Sequence, residues 1–162
     1  MPGYFSEALS RFKNLWSGKP EDQPYAHVVP NYGAKVQYAP DDDTSQLATK
    51  DEKTFIQQVV GNFLHYGRAV DGTMLTALSA IASEQASPTA TTIKKTQKFM
   101  DYAATHPDAV LTYRKSDTLL AVHSDASYLS KPKARSRAGG RFFLASDVPI
   151  LANNGAVLNT EN

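Results

Sequence analysis

The strongest constraint on the fold is a change of hydrophobic period at His106-Pro107-Asp108. Upstream of it the apolar residues recur at helical spacing. Phe55, Ile56, Val59, Val60, Phe63, Gly67 and Val70 follow the i, i+3, i+4 rule of one buried stripe. Asp71-Gly72 interrupts the stripe, and Met74, Leu75, Leu78 and Ile81 resume it in a second helix. Ser87-Pro88 predicts a third helix start, because a serine caps free N–H groups and proline tolerates the first helical position. Ile93, Gln97, Met100 and Ala104 predict its buried face. Downstream of Pro107 the pattern is that of strands, at Val110–Tyr113, Leu119–Asp125, Arg141–Ala145 and Ala156–Asn159. Three helices followed by a short antiparallel sheet make an α+β chain.

Ahead of this core lies an amphipathic helix over Met1–Leu15, with Phe5, Leu9, Phe12 and Trp16 at helical spacing. Glu7, Arg11 and Lys13 break its apolar character, so it lacks the uncharged core of a signal peptide. Pro20, Pro24, Pro30, Gly33 and Pro40 then mark Gly18–Thr49 as an extended connector ending in Asp41-Asp42-Asp43. The resulting division is 1–49, helix and proline-rich connector; 50–107, helical region; 108–162, sheet.

Composition narrows the function. A hydrophobic fraction of 41% and a charged fraction of 20% are those of a folded domain rather than a disordered tail. With no cysteine, disulfides and thiolate metal sites are excluded, and a reducing compartment is compatible. No apolar run approaches the roughly 18 residues that span a bilayer, so no membrane partner is expected. The net charge of +1 argues against a dedicated nucleic-acid binder, yet the charge is segregated. Arg114 to Arg141 holds seven bases against Asp117 and Asp125, which leaves the rest of the chain acidic.

Within that window, Leu119–Ser146 predicts a strand ending in the carboxylate of Asp125, a basic turn, and a second strand led by Gly139-Gly140. A carboxylate at a strand end can hold a hard cation such as Mg²⁺, and loop bases attract a phosphodiester backbone. The same residues also describe a solvent-facing Asp that opens a turn. Lys131 to Arg137 fits a loop tracking a nucleic acid or an ordinary solvated turn, and less well a nuclear-localisation signal. His123-Ser124-Asp125 is not a hydrolytic triad, because neighbours on a strand point to opposite faces. The four histidines lack metal-ligand spacing.

Several segments in order resemble the pol polyprotein of copia-type long-terminal-repeat retroelements, from the reverse transcriptase thumb and connection region into the start of the ribonuclease H domain. Ser124-Asp125-Ala126, Arg135-Ser136-Arg137 and Gly140-Arg141-Phe142-Phe143-Leu144 resemble the Ser-Asp-Ala motif, Arg-Ser turn and Gly-aromatic strand that open that domain. Val59-Val60-Gly61-Asn62-Phe63-Leu64-His65-Tyr66 resembles a helix of the connection region, and Ser87-Pro88-Thr89 and Phe99-Met100-Asp101-Tyr102 its next helix start and end. Tyr4, Ala8, Leu9 and Phe12 resemble the helix that closes the thumb.

The resemblance implies a ribonuclease H-like sheet, Asp125 as catalytic residue and Mg²⁺ ligand, and Lys131, Lys133, Arg135, Arg137 and Arg141 as contacts to an RNA–DNA hybrid. The remainder of the polyprotein would be a partner, and the location cytoplasmic or nuclear. There are departures. Ser127 stands where the family commonly has a second acid, and Arg68-Ala69-Val70-Asp71 replaces an Arg-Pro-Asp step. Two-metal hydrolysis needs several converging carboxylates. The family's second lies on a helix that would follow Asn162, while Asp117, Asp147 and Glu161 are expected at a turn, a loop and a frayed end. The expectation is a reverse transcriptase/ribonuclease H fragment without complete catalytic machinery, or else a retroelement-derived interaction module.

Overall fold

A computed structural model describes residues 3–12, 17–26, 43–131, 135–148 and 154–161. Among these residues four α-helices precede an antiparallel sheet: α1 Tyr4–Arg11, α2 Lys50–Ala69, α3 Leu75–Glu84 and α4 Ala90–Thr105, then β1 Leu119–Lys131, β2 Arg135–Ala145 and β3 Ala156–Glu161. The chain is therefore α+β, with the sheet ordered β1-β2-β3.

Helix ends follow from local chemistry. At α2 the Thr49 side chain accepts from the Glu52 N–H while the Glu52 carboxylate accepts from the Thr49 N–H, a reciprocal capping box. Asp71 ends the α2 stripe by accepting from the Thr73 N–H at 3.1 Å, which starts a 3₁₀ turn, Gly72–Met74, leading into α3. Gly67 lets the two helices close up: a Cβ there would sit 3.1 Å from a Leu75 methyl and 3.3 Å from one of Leu78. The cap of α4 is Thr89 paired with Thr92, so the helix begins beyond the expected Ser87-Pro88 start. Pro88 instead lends its carbonyl to the Ala48 N–H, where the end of the connector meets α4 through a Leu47–Thr89 bridge.

The α2 and α3 stripes are buried as expected, through Ile56, Val59, Val60, Phe63, Met74, Leu75, Leu78 and Ile81. The α4 face differs. Met100 is buried as expected and Ile93 packs against the core, but Gln97 is exposed, and Thr92, Thr96, Phe99 and Ala103 complete the buried face. Threonine is admitted because its hydroxyl is satisfied within the helix, Thr96 donating to the Thr92 carbonyl at 2.9 Å. Phe5, Ala8 and Phe12 of α1 join the same core. Phe63 stands between Phe5 and Phe99 in edge-to-face contacts of 5.5 and 5.4 Å. The expected Trp16 and Asp41-Asp42 contributions lie outside the described residues.

Two strand expectations change. Val110–Tyr113 is not a strand; Gly155 donates to the Thr112 carbonyl and the Tyr113 hydroxyl to the Ala156 carbonyl, so this segment is a tether beside the sheet. The strands are also longer than expected. β1 pairs with β2 from Leu119↔Ala145 through Asp125↔Gly139 to Lys131↔Arg135, with an irregularity after Ser127. β2 is central, and β3 joins it with Arg141↔Asn159 and Gly139↔Glu161 in register. β3 carries the sheet onto the helices: Thr76 of α3 donates to the Glu161 carboxylate at 2.8 Å, and the Asn159 amide to the Arg68 carbonyl at 3.4 Å.

Candidate functional site

Because β1 continues beyond it, Asp125 lies within a strand rather than at a strand end. Its Cα partner is Gly139, its side chain is exposed, and one carboxylate oxygen accepts from the next N–H, that of Ala126, at 2.8 Å. Among the described residues, no three His, Asp or Glu side chains gather where they could hold a metal ion. Asp125 thus offers a cation one exposed carboxylate. Asp117 and Asp147 are exposed as expected of a turn and a loop. Glu161, expected at a frayed end, is instead the last residue of β3 and takes hydrogen bonds from Thr76 and Arg137.

The longer strands also redistribute the bases. Lys131 ends β1 and Arg135 begins β2, so both belong to strands rather than to the predicted turn, and Lys133 lies outside the described residues. Arg137 and Arg141 stand on β2 four residues apart, hence on one face of it. Their surroundings differ. Arg137 pairs with Glu161 at 2.8 Å, both side chains being 15% exposed. Arg141 is half-buried and finds a backbone carbonyl, that of Asn154, at 2.7 Å. His123, across the hairpin, sets its ring edge-on to Phe143 at 4.9 Å between centroids.

Two polar residues that sequence reasoning passed over organise the seam between sheet and helices. Asn154 is buried and fully engaged: its oxygen accepts from the N–H groups of Arg114 and Gly155, and its amide donates to the carbonyls of Arg114 and Leu144. Partners so far away in sequence leave no local trace. Gly155 is required beside it, since a Cβ there would approach the Thr112 carbonyl oxygen to 2.9 Å. Asp71, also buried, is the second. Between these residues runs a cleft of about 530 Å³ lined by Asp71, Thr112, Arg114, Arg141, Asn154 and Asn159, among others.

No protein-family model, curated protein or solved structure matches the chain. None of the described helices is long and apolar enough to cross a membrane.

Proposed function

We propose that this chain is a piece of a copia-type retroelement polyprotein, running from the reverse transcriptase thumb through the connection region into a ribonuclease H-like sheet, and that alone it is catalytically incomplete. The observation that carries this reading is the placement of the motifs on the elements. Ser124-Asp125-Ala126 lies on the first strand of an antiparallel sheet, Gly140-Arg141-Phe142 on the second, and the helices that resemble the connection region precede both. The role suggested for Asp125 is to contribute one ligand for Mg²⁺, with the other ligands coming from elsewhere in a complete nuclease. Lys131, Lys133 and Arg135 at the hairpin end would give phosphate contacts to an RNA–DNA hybrid, held by charge rather than by base readout.

The test is hybrid binding across salt concentrations. Binding through about three phosphate contacts should give a log–log salt slope of roughly −2 to −3. Replacing Lys131, Lys133 and Arg135 by glutamine should flatten that slope. A flat response in the unaltered chain contradicts the binding role. Mg²⁺-dependent hybrid cleavage that Asp125→Asn abolishes would overturn the incomplete-catalysis reading.

A specific observation favours a second reading, an interaction module. Leu120, Val122 and Leu158 are 64%, 46% and 42% exposed, and β1 is paired on one side only among the described residues. Exposed apolar surface and an open strand edge are features of protein contact sites. Light scattering separates the readings: a monodisperse monomer at high concentration counts against the module.

A further inference from the structure

The two arginines on one face of β2 are not equally neutralised. Arg137 has Glu161 as its carboxylate, and the register sets Gly139 opposite Glu161. Four residues along, Arg141 has Asn159 as its cross-strand partner, an amide in place of an acid. Among the described residues Arg141 makes no ion pair, and its Nε–H is buried without any hydrogen-bond acceptor. A half-buried guanidinium with an orphaned donor is costly unless an anion completes it.

The second cation of the cleft is in a similar state. Arg114 reaches the cleft from the tether ahead of β1; its side chain is exposed and has no described partner, although its backbone is fixed on both sides by Asn154. Asp71 lines the same cleft but forms no ion pair with either arginine among the described residues; its Oδ1 accepts from both the backbone N–H and the hydroxyl of Thr73. The local balance is two guanidinium groups to one engaged carboxylate. At about 530 Å³ the cleft lies within the range of small-molecule sites and exceeds the size of a bare inorganic ion.

We propose that the seam between the sheet and the 3₁₀ turn is a binding site for a small organic oxyanion, a phosphate monoester or a carboxylate, with Arg114 and Arg141 clamping the anionic group. Guanidinium suits this task because its planar fork matches the oxygens of either group. The site is separate from the hairpin end where nucleic-acid contact was placed, so the two readings stand or fall independently.

The experiment is a ¹H–¹⁵N NMR titration of the full chain with ribose 5-phosphate, succinate and inorganic phosphate, at ionic strength held constant with sodium chloride. The expected result is saturable shifts of the Gly72, Gly155 and Asn159 amides and of the Arg141 Nε–H. Whichever of ribose 5-phosphate and succinate saturates these signals identifies the anionic group. Arg114→Gln, at an exposed position, should leave the spectrum otherwise intact and weaken binding about tenfold, the loss of one charge-assisted contact. Arg141→Lys should retain part of the affinity and Arg141→Gln none. Shifts that stay linear with all three probes, or an Arg114→Gln protein of unchanged affinity, would overturn the proposal.

Discussion

Arg137 and Glu161 join the middle strand to the last at 2.8 Å, and the same carboxylate takes the Thr76 hydroxyl of α3 at the same distance. One acid thereby fastens β2, β3 and the helical layer. Glu161→Gln keeps a partner for Thr76 but leaves Arg137 mostly buried without a counter-charge. It should cost about 1–3 kcal/mol, between the values for surface and fully buried pairs. Urea unfolding of the two proteins measures this, and an unchanged midpoint would remove Glu161 as a fastener.

Gly155 should be intolerant of any side chain. A Cβ at this position falls 2.9 Å from the Thr112 carbonyl oxygen and 3.0 Å from the Tyr113 ring. Gly155→Ala should therefore lower stability by about 1–3 kcal/mol through overpacking against backbone that cannot yield. The control is Gly61→Ala, where nothing lies within 4 Å; it should be neutral or stabilising.

Thr118 carries strain just ahead of β1. Its φ of 60° lies in the left-handed region, which disfavours β-branched side chains. Thr118→Gly should raise stability by about 1 kcal/mol despite glycine's greater freedom in the unfolded chain. A destabilised Thr118→Gly protein in thermal unfolding contradicts this.

Acid should weaken the chain through its caps. Donation from the Thr89 hydroxyl, and then from the N–H of Ser45, holds the Asp43 carboxyl well below its ordinary range. Thr49 does the same for Glu52 with its N–H and hydroxyl, and the Lys98 ammonium and Gln23 N–H for Glu21. Each folded-state pKa lies below its unfolded value. The stabilisation is therefore present above about pH 4 and lost as pH falls through the folded-state values. The urea midpoint should hold from pH 7 to 5 and decline below 4. Asp43→Asn should be less stable at pH 7, and its gap to the parent should narrow steadily as the pH falls below about 4; a constant gap contradicts the linkage.

How much of this was legible in the sequence depends on where each residue finds its partners. α2 and α3 were plain because Ile56, Val59, Phe63, Leu78 and Ile81 bury ordinary apolar side chains at a regular period. The α4 face was displaced because Thr92 and Thr96 count as polar until their hydroxyls are seen to be satisfied nearby. β1 outran its prediction since Ser124 to Ser127 show no alternation of burial, being exposed on both faces and held by pairing with β2. At the site, the sequence placed Arg137 in a basic turn and Arg141 at the head of the following strand, and treated both as bases of one charged window. What distinguishes them is Glu161 against Asn159, a difference set by strand register and invisible to composition.

The Phe5–Phe63–Phe99 stack has a consequence for the order of folding. Its contacts join α1 to α2 and α2 to α4, segments far apart along the chain. Loop closure over such separations must precede the packing that rewards it, which slows the assembly of this core. During synthesis Phe5 emerges before Phe63, and the stack cannot close before Phe99 has emerged. The β1–β2 hairpin, by contrast, closes over a short connection. The hairpin is thus topologically quicker to form than the aromatic stack, although it follows the stack along the chain.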